Sequence, residues 1–140
     1  MAEHKVEEPT VHVIKPQEFD RNTAQTPGMQ RAAAVSGELA GSKGIWAGVT
    51  VIEPQTTSGV HHHGKLETII YIISGKIVMR WGEHMEFERE AVAGDFVYVP
   101  PFAPHMESNN SPDTPSHWVV VRNAQEAIVV NLEPFNLTAD

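Results

Sequence analysis

The chain has 140 residues, 41% of them apolar and 20% charged, which is enough for one globular domain with a single sizeable core. Acidic groups outnumber basic ones 18 to 10, and the formal net charge of −8, with no basic stripe in the sequence, argues against a nucleic-acid backbone or an anionic membrane surface as partner. There is no cysteine, so disulfides and thiolate metal sites are excluded, and any metal would be held by imidazole and carboxylate.

The opening "MAEHKVEEPT" is polar and carries no secretory pattern, and a cytoplasmic location is the expectation. "TVHVIKP" reads as a short strand stopped by Pro16, which lacks the donor that a central ladder needs. "QEFDRNTAQTPGMQR" shows no sustained period and is expected to be irregular, with a turn at Pro27-Gly28. "AAAVSGELAGSKG" fits one helical turn or short strands equally well. From Ile45 onward short β-rich runs recur: "IWAGVTVI", "TIIYIIS", "KIVMRW", "DFVYVP", "HWVVV" and "AIVVNL". Turn residues separate them, including a solvated "EHMEFERE" hairpin connection and a mobile "NNSPDTPS" loop. Short strands at this spacing without a long helix indicate a sandwich or barrel, whose interior can hold one small ligand. The longest apolar run, "IIYII", falls far short of the roughly 17–25 residues of a membrane span.

The chemistry-bearing stretch is "SGVHHHGKLETIIYIISG", Ser58 to Gly75. In a strand, residues two apart share a side, so His61 and His63 face one way and His62 the other. Two imidazoles at that spacing can both reach a divalent ion, and Gly64 lets the chain turn so that Glu67 can return a carboxylate toward them. Far along, "GDFVYVPPFAPHMESN" ends a strand at Pro100-Pro101 and delivers His105.

These residues resemble the two motifs of the cupin superfamily. His61, His63, Glu67 and Gly75 match the first, and Gly94, Pro100, His105 and Asn109 the second, with the 18 residues "KIVMRWGEHMEFEREAVA" between them. Three positions depart from the pattern. Gln55 stands where the first motif opens with glycine, seven residues rather than six separate Glu67 from Gly75, and Phe102 replaces the glycine of Pro-x-Gly. "TPGMQR" with "GDFVYVPPFAPH" is similar to small single-domain bacterial cupins of unassigned function, some labelled predicted mannose-6-phosphate isomerase.

The resemblance implies an all-β fold, a double-stranded β-helix or jelly-roll barrel, with residues 1–44 as an N-terminal arm of short strands covering it. Residues 45–132 would form the barrel and 133–140 a C-terminal tail. It also implies one divalent metal ion held by His61, His63, Glu67 and His105. Such donors suit iron, manganese, nickel, zinc or copper, and vacant positions on the ion would suit chemistry. The expected function is a metal-dependent enzyme of dioxygenase, decarboxylase or isomerase type on a small oxygen-containing metabolite, with dioxygenase chemistry ahead. A non-enzymatic metal-dependent binding or sensing protein is the alternative. Glu67 and Tyr71 are the candidates for proton transfer, Tyr71 sharing by parity the side of Glu67 and projecting with Ile69 and Ile73 into the barrel; on pattern alone a packed tyrosine is the favoured reading. His62 is expected at the surface or behind the ligands, and His4, His12, His84 and His117 at ordinary surface positions. Arg80 is read as an outward, solvated residue and Asn109 as a turn-former. A homodimer joined along a sheet edge completes the expectation.

Overall fold

The computed structural model describes residues 8–23, 25 and 27–132. The expected C-terminal tail and His4 lie outside the described residues. Among the described residues eleven strands run in chain order: β1 Met29–Val35, β2 Trp46–Ile52, β3 Thr56–Thr57, β4 His61–His62, β5 Thr68–Ser74, β6 Lys76–Trp81, β7 Phe87–Val92, β8 Phe96–Val99, β9 His105–Asn109, β10 Ser116–Arg122 and β11 Val130–Asn131. One short helix, α1 Gly37–Ala40, follows β1, started by the Ser36 hydroxyl accepting from the Leu39 amide and stopped at Gly41 in the left-handed region. No helix among the described residues is long and apolar enough to cross a membrane.

The strands form two antiparallel sheets, β1-β2-β10-β5-β8 and β11-β4-β9-β6-β7, with β3 added to β9. Ile52, Ile70, Ile72, Ile77, Met79, Val99 and Trp118 fill the space between them, together with Met29 and Ala91. Each such aliphatic side chain contributes roughly 1.5–3 kcal/mol when fully buried. Gly75 alone carries the chain from β5 in one sheet to β6 in the other. Its φ is +74°, and a Cβ there would meet the Pro115 carbonyl oxygen at 2.5 Å, so only glycine fits the corner.

Several expectations about local structure need correcting. "TVHVIKP" joins no ladder; the sheet edge that it would cover is made instead by β1, paired along its length with β2. "EHMEFERE" is a solvated connection only in its first half: Phe87–Glu90 begin β7, paired residue for residue with β6, and Met85 is fully buried. The polar segment "HMESN" is the most enclosed strand of all, every residue of β9 being buried. Asn109 does anchor a turn: its Nδ2 donates to the Ile52 and Thr114 carbonyls and its Oδ1 accepts from the Ser111 amide.

Candidate metal centre

Strand pairing assembles the site. His61 on β4 sits directly opposite His105 on β9, and His63 follows as the chain turns at Gly64. The ring centroids of His61 and His105 are 4.4 Å apart, those of His61 and His63 5.0 Å, and those of His63 and His105 5.1 Å. A ring nitrogen of each lies within 4.8 Å of the others.

The tautomers follow from the hydrogen bonds. Nδ1 of His61 meets the Gly59 carbonyl oxygen at 2.8 Å, Nδ1 of His63 the Ile128 oxygen at 2.9 Å, and Nδ1 of His105 the Ala103 oxygen at 2.9 Å. A carbonyl only accepts, so each Nδ1 carries the proton and each neutral ring turns a bare Nε2 lone pair inward. His62 is wired the opposite way, its Nδ1 accepting from the Gly64 amide, and it packs against Phe102 outside the group. The Nε2 of His105 is buried with no hydrogen-bond partner among the described residues. A buried polar atom of this kind is costly unless something else completes it. Three second-bonded imidazoles with converging lone pairs fit a divalent cation.

The carboxylate beside these rings is Glu107, which the sequence reading missed. It is 7% exposed and stands two residues beyond His105 on the same side of β9. Its Oε1 lies 3.6 Å from His105 Nε2 and its Oε2 3.8 Å from His61 Nε2, ion-pair rather than hydrogen-bond distances. Burial pushes the Glu107 carboxyl up, but contact with His105 and the charge of His61 outweigh it and hold the group at about 2. Burial likewise depresses His105, yet Glu107 reverses the sign and the net shift is upward. At His63 burial wins and the ring falls to about 4, so it is neutral and ready to ligate at ordinary pH.

The structure does not bring Glu67 to the three imidazoles. Its Oε1 accepts from the Tyr98 hydroxyl at 2.7 Å and its Oε2 from the Asn123 side chain at 3.4 Å, at an exposed position. The Glu67 bond also raises the Tyr98 hydroxyl above its usual range. Parity grouped Glu67, Ile69, Tyr71 and Ile73 correctly but assigned them the wrong face. Leu66, Thr68, Ile70 and Ile72 are the buried set, so the odd-numbered side chains point away from the interior. Tyr71 is accordingly a packed, half-buried residue whose ring lies 4.8 Å from that of Phe96. Arg80 is half-buried, its Nη2 donating to the Met85 carbonyl. His12 and His117 are exposed, as is His84.

A cavity of about 210 Å³ opens beside the centre. His61, His63 and Glu107 form one wall, and the opposite sheet supplies Arg31, Arg122, Trp46 and Trp118. At about 30 Å³ per water it holds roughly seven water volumes. A larger hollow of about 480 Å³ between the edges of β7 and β8 meets only His105 of the three rings.

An antiparallel two-sheet barrel carrying an open-sided three-histidine cluster defines a class of small β-barrel proteins with an internal candidate metal site. Residues 48–122, more than half of the chain, match the family described as the cupin domain, and the chain belongs to that family. Solved structures agree on the fold. KdgF from a Halomonas species is 19% identical with a TM-score of 0.67, covering 84% of this chain and 96% of its own. An uncharacterized conserved protein with a double-stranded β-helix domain from Klebsiella pneumoniae is 18% identical, TM-score 0.66, covering 89% and 99%. An oxalate oxidase bound to the substrate analogue glycolate is 19% identical, TM-score 0.65, covering 81% of this chain and 59% of that one. No curated protein matches the chain.

Proposed function

We propose that this cupin is a metal-dependent enzyme acting on a small oxygen-containing metabolite bound in the 210 Å³ cavity. The observation that carries the reading is the common wiring of His61, His63 and His105, each spending Nδ1 on a backbone carbonyl and presenting Nε2 to a shared centre. These three rings would hold the ion, with Glu107 as the adjacent carboxylate that offsets its charge. The family pattern would add Glu67, but here that group is committed to Tyr98 and Asn123, so the reading gives its place to Glu107. When bound, the ion supplies Lewis-acid polarisation of substrate oxygens, or dioxygen chemistry if it is iron. The chain's own part is to keep the three rings in one tautomer and to enclose the substrate between Trp46, Trp118 and Ile70.

Dioxygenase chemistry stands ahead of decarboxylation and isomerisation in this proposal. A homodimer and a cytoplasmic location belong to the same proposal, and a monomeric elution profile would contradict the first. The test is protein purified anaerobically and analysed for bound metal, then screened for oxygen uptake with diketones, thiols and small enolisable acids. Uptake that disappears in His61→Ala supports the enzyme. Tight ligand capture without turnover would make the protein a metal-dependent binder instead.

A further inference from the structure

The molecule is acidic overall, with only 10 lysines and arginines in 140 residues, yet two arginines line the barrel interior. Arg31 comes from β1 and Arg122 from the end of β10, both in the sheet that faces the imidazoles across the cavity. Arg122 is held rigidly: its guanidinium carbon lies 3.9 Å over the Trp46 ring, and its Nε and Nη2 donate to the carbonyls of Ala124 and Gln125. Burial lowers both guanidinium pKa values. The charge of Arg31 lowers Arg122 further, while Glu107 pulls Arg31 back up.

Enclosing two like charges in one small cavity opposes folding, and an apolar pair of similar volume would pack there at lower cost. Arg122 spends Nε and Nη2 on carbonyls, which carry no formal charge to offset its own. Loading a divalent cation beside Glu107 would add positive charge across the cavity from that guanidinium, and an anion suits the balance. The remaining lining, Trp46, Trp118, Leu66, Ile70 and Val120, suits a short carbon skeleton.

Resting on the metal-centre reading above, we infer that Arg31 and Arg122 form an anion-recognition wall that receives the carboxylate of a small organic acid opposite the three imidazoles. A planar carboxylate matches the guanidinium fork, and roughly seven water volumes admit an acid of only a few carbons. The wall orients the acid so that its oxygen-bearing carbon faces His61 and His63. Arg31 and Arg122 are therefore specificity-determining residues.

The experiment uses the full chain loaded with cobalt(II), whose visible absorption reports metal uptake, titrated calorimetrically with glycolate. Glycolate is expected to bind, and the neutral glycolamide at least ten-fold more weakly. Arg31→Met and Arg122→Met should each weaken glycolate at least ten-fold while cobalt(II) uptake stays within about three-fold. Should Arg122→Met fail to fold, Arg122→Lys, which keeps the charge but loses the fork, decides together with Arg31→Met. No glycolate binding to the wild type, unchanged affinity in the arginine variants, or equal binding of glycolamide or inorganic phosphate would overturn the inference and leave the metal centre standing. A wild type that takes up no cobalt(II) refutes the metal centre instead. Glycolate binding to that metal-free protein that still falls in the arginine variants would uphold the wall.

Discussion

Replacing Glu107 by glutamine removes one buried charge and little else. The side chain keeps its volume, and the Glu107 backbone amide keeps its bond to the Ser58 hydroxyl at 2.9 Å. What is lost is a carboxylate 3.6 and 3.8 Å from two of the Nε2 atoms that would hold the ion. A unit charge pair at 3.6 Å is worth roughly 4–5 kcal/mol at an effective dielectric of about 20, an upper bound before desolvation is subtracted. Outer partners of metal sites typically cost about 10–100-fold in affinity when removed, or roughly 1.4–2.7 kcal/mol. One effect runs the other way. Without Glu107 the raised His105 pKa falls, so fewer protons compete for that ring. Measuring at pH 8 suppresses that competition. Divalent-metal affinity, read by cobalt(II) absorption at pH 8, is therefore expected to drop about 10–100-fold in Glu107→Gln and to stay within about three-fold in Glu67→Gln. The reverse order of the two variants would refute the assignment and return Glu67 to the ligand set.

Three further outcomes are expected. Metal-free protein should lose stability as pH falls. The folded His63 pKa lies below its ordinary value, so its contribution is complete above 6.5 and disappears toward about 4, on the order of 3 kcal/mol in all. Glu107 loses its contribution lower down, between 4.5 and about 2, while the raised His105 stabilises below 6.5 and opposes the trend only in the upper part of the window. Urea midpoints from pH 6.5 to 4 in the presence of a chelator check the sign, and a midpoint that rises on acidification within that range contradicts it. Asn109→Ala removes two donated bonds and one accepted bond at a position 1% exposed, and should cost about 2–4 kcal/mol by urea titration. Tyr71→Phe keeps the ring on Phe96 and should change stability by less than about 0.5 kcal/mol and turnover not at all; a large fall in turnover would restore Tyr71 as a proton donor.

The architecture was readable because β-branched runs with turn residues between them have few other ways to bury themselves. "IWAGVTVI", "TIIYIIS", "KIVMRW", "DFVYVP" and "HWVVV" all became strands. What escaped was any feature whose burial is polar. "HMESN" carries no hydrophobic pattern, yet β9 is buried throughout because the pairing of His105 with His61 and the bonds of Asn109 satisfy it. Its His-x-Glu spacing already placed Glu107 beside His105, and that was the available signal. Glu67 misled because the family motif draws attention to it, whereas the inner face belongs to Leu66, Thr68 and Ile70. Arg31 left no trace in the local pattern, since only the register Arg31 with Thr50 sets it on the cavity side of the sheet.

The most direct measurement is the nitrogen-15 NMR spectrum of the histidine side chains in zinc-loaded protein. It should show three rings, those of His61, His63 and His105, with Nδ1 protonated and Nε2 shifted by the metal, and His62 in the opposite tautomer. Zinc that leaves these three Nε2 signals unmoved, or rings protonated at Nε2, would contradict a shared metal centre.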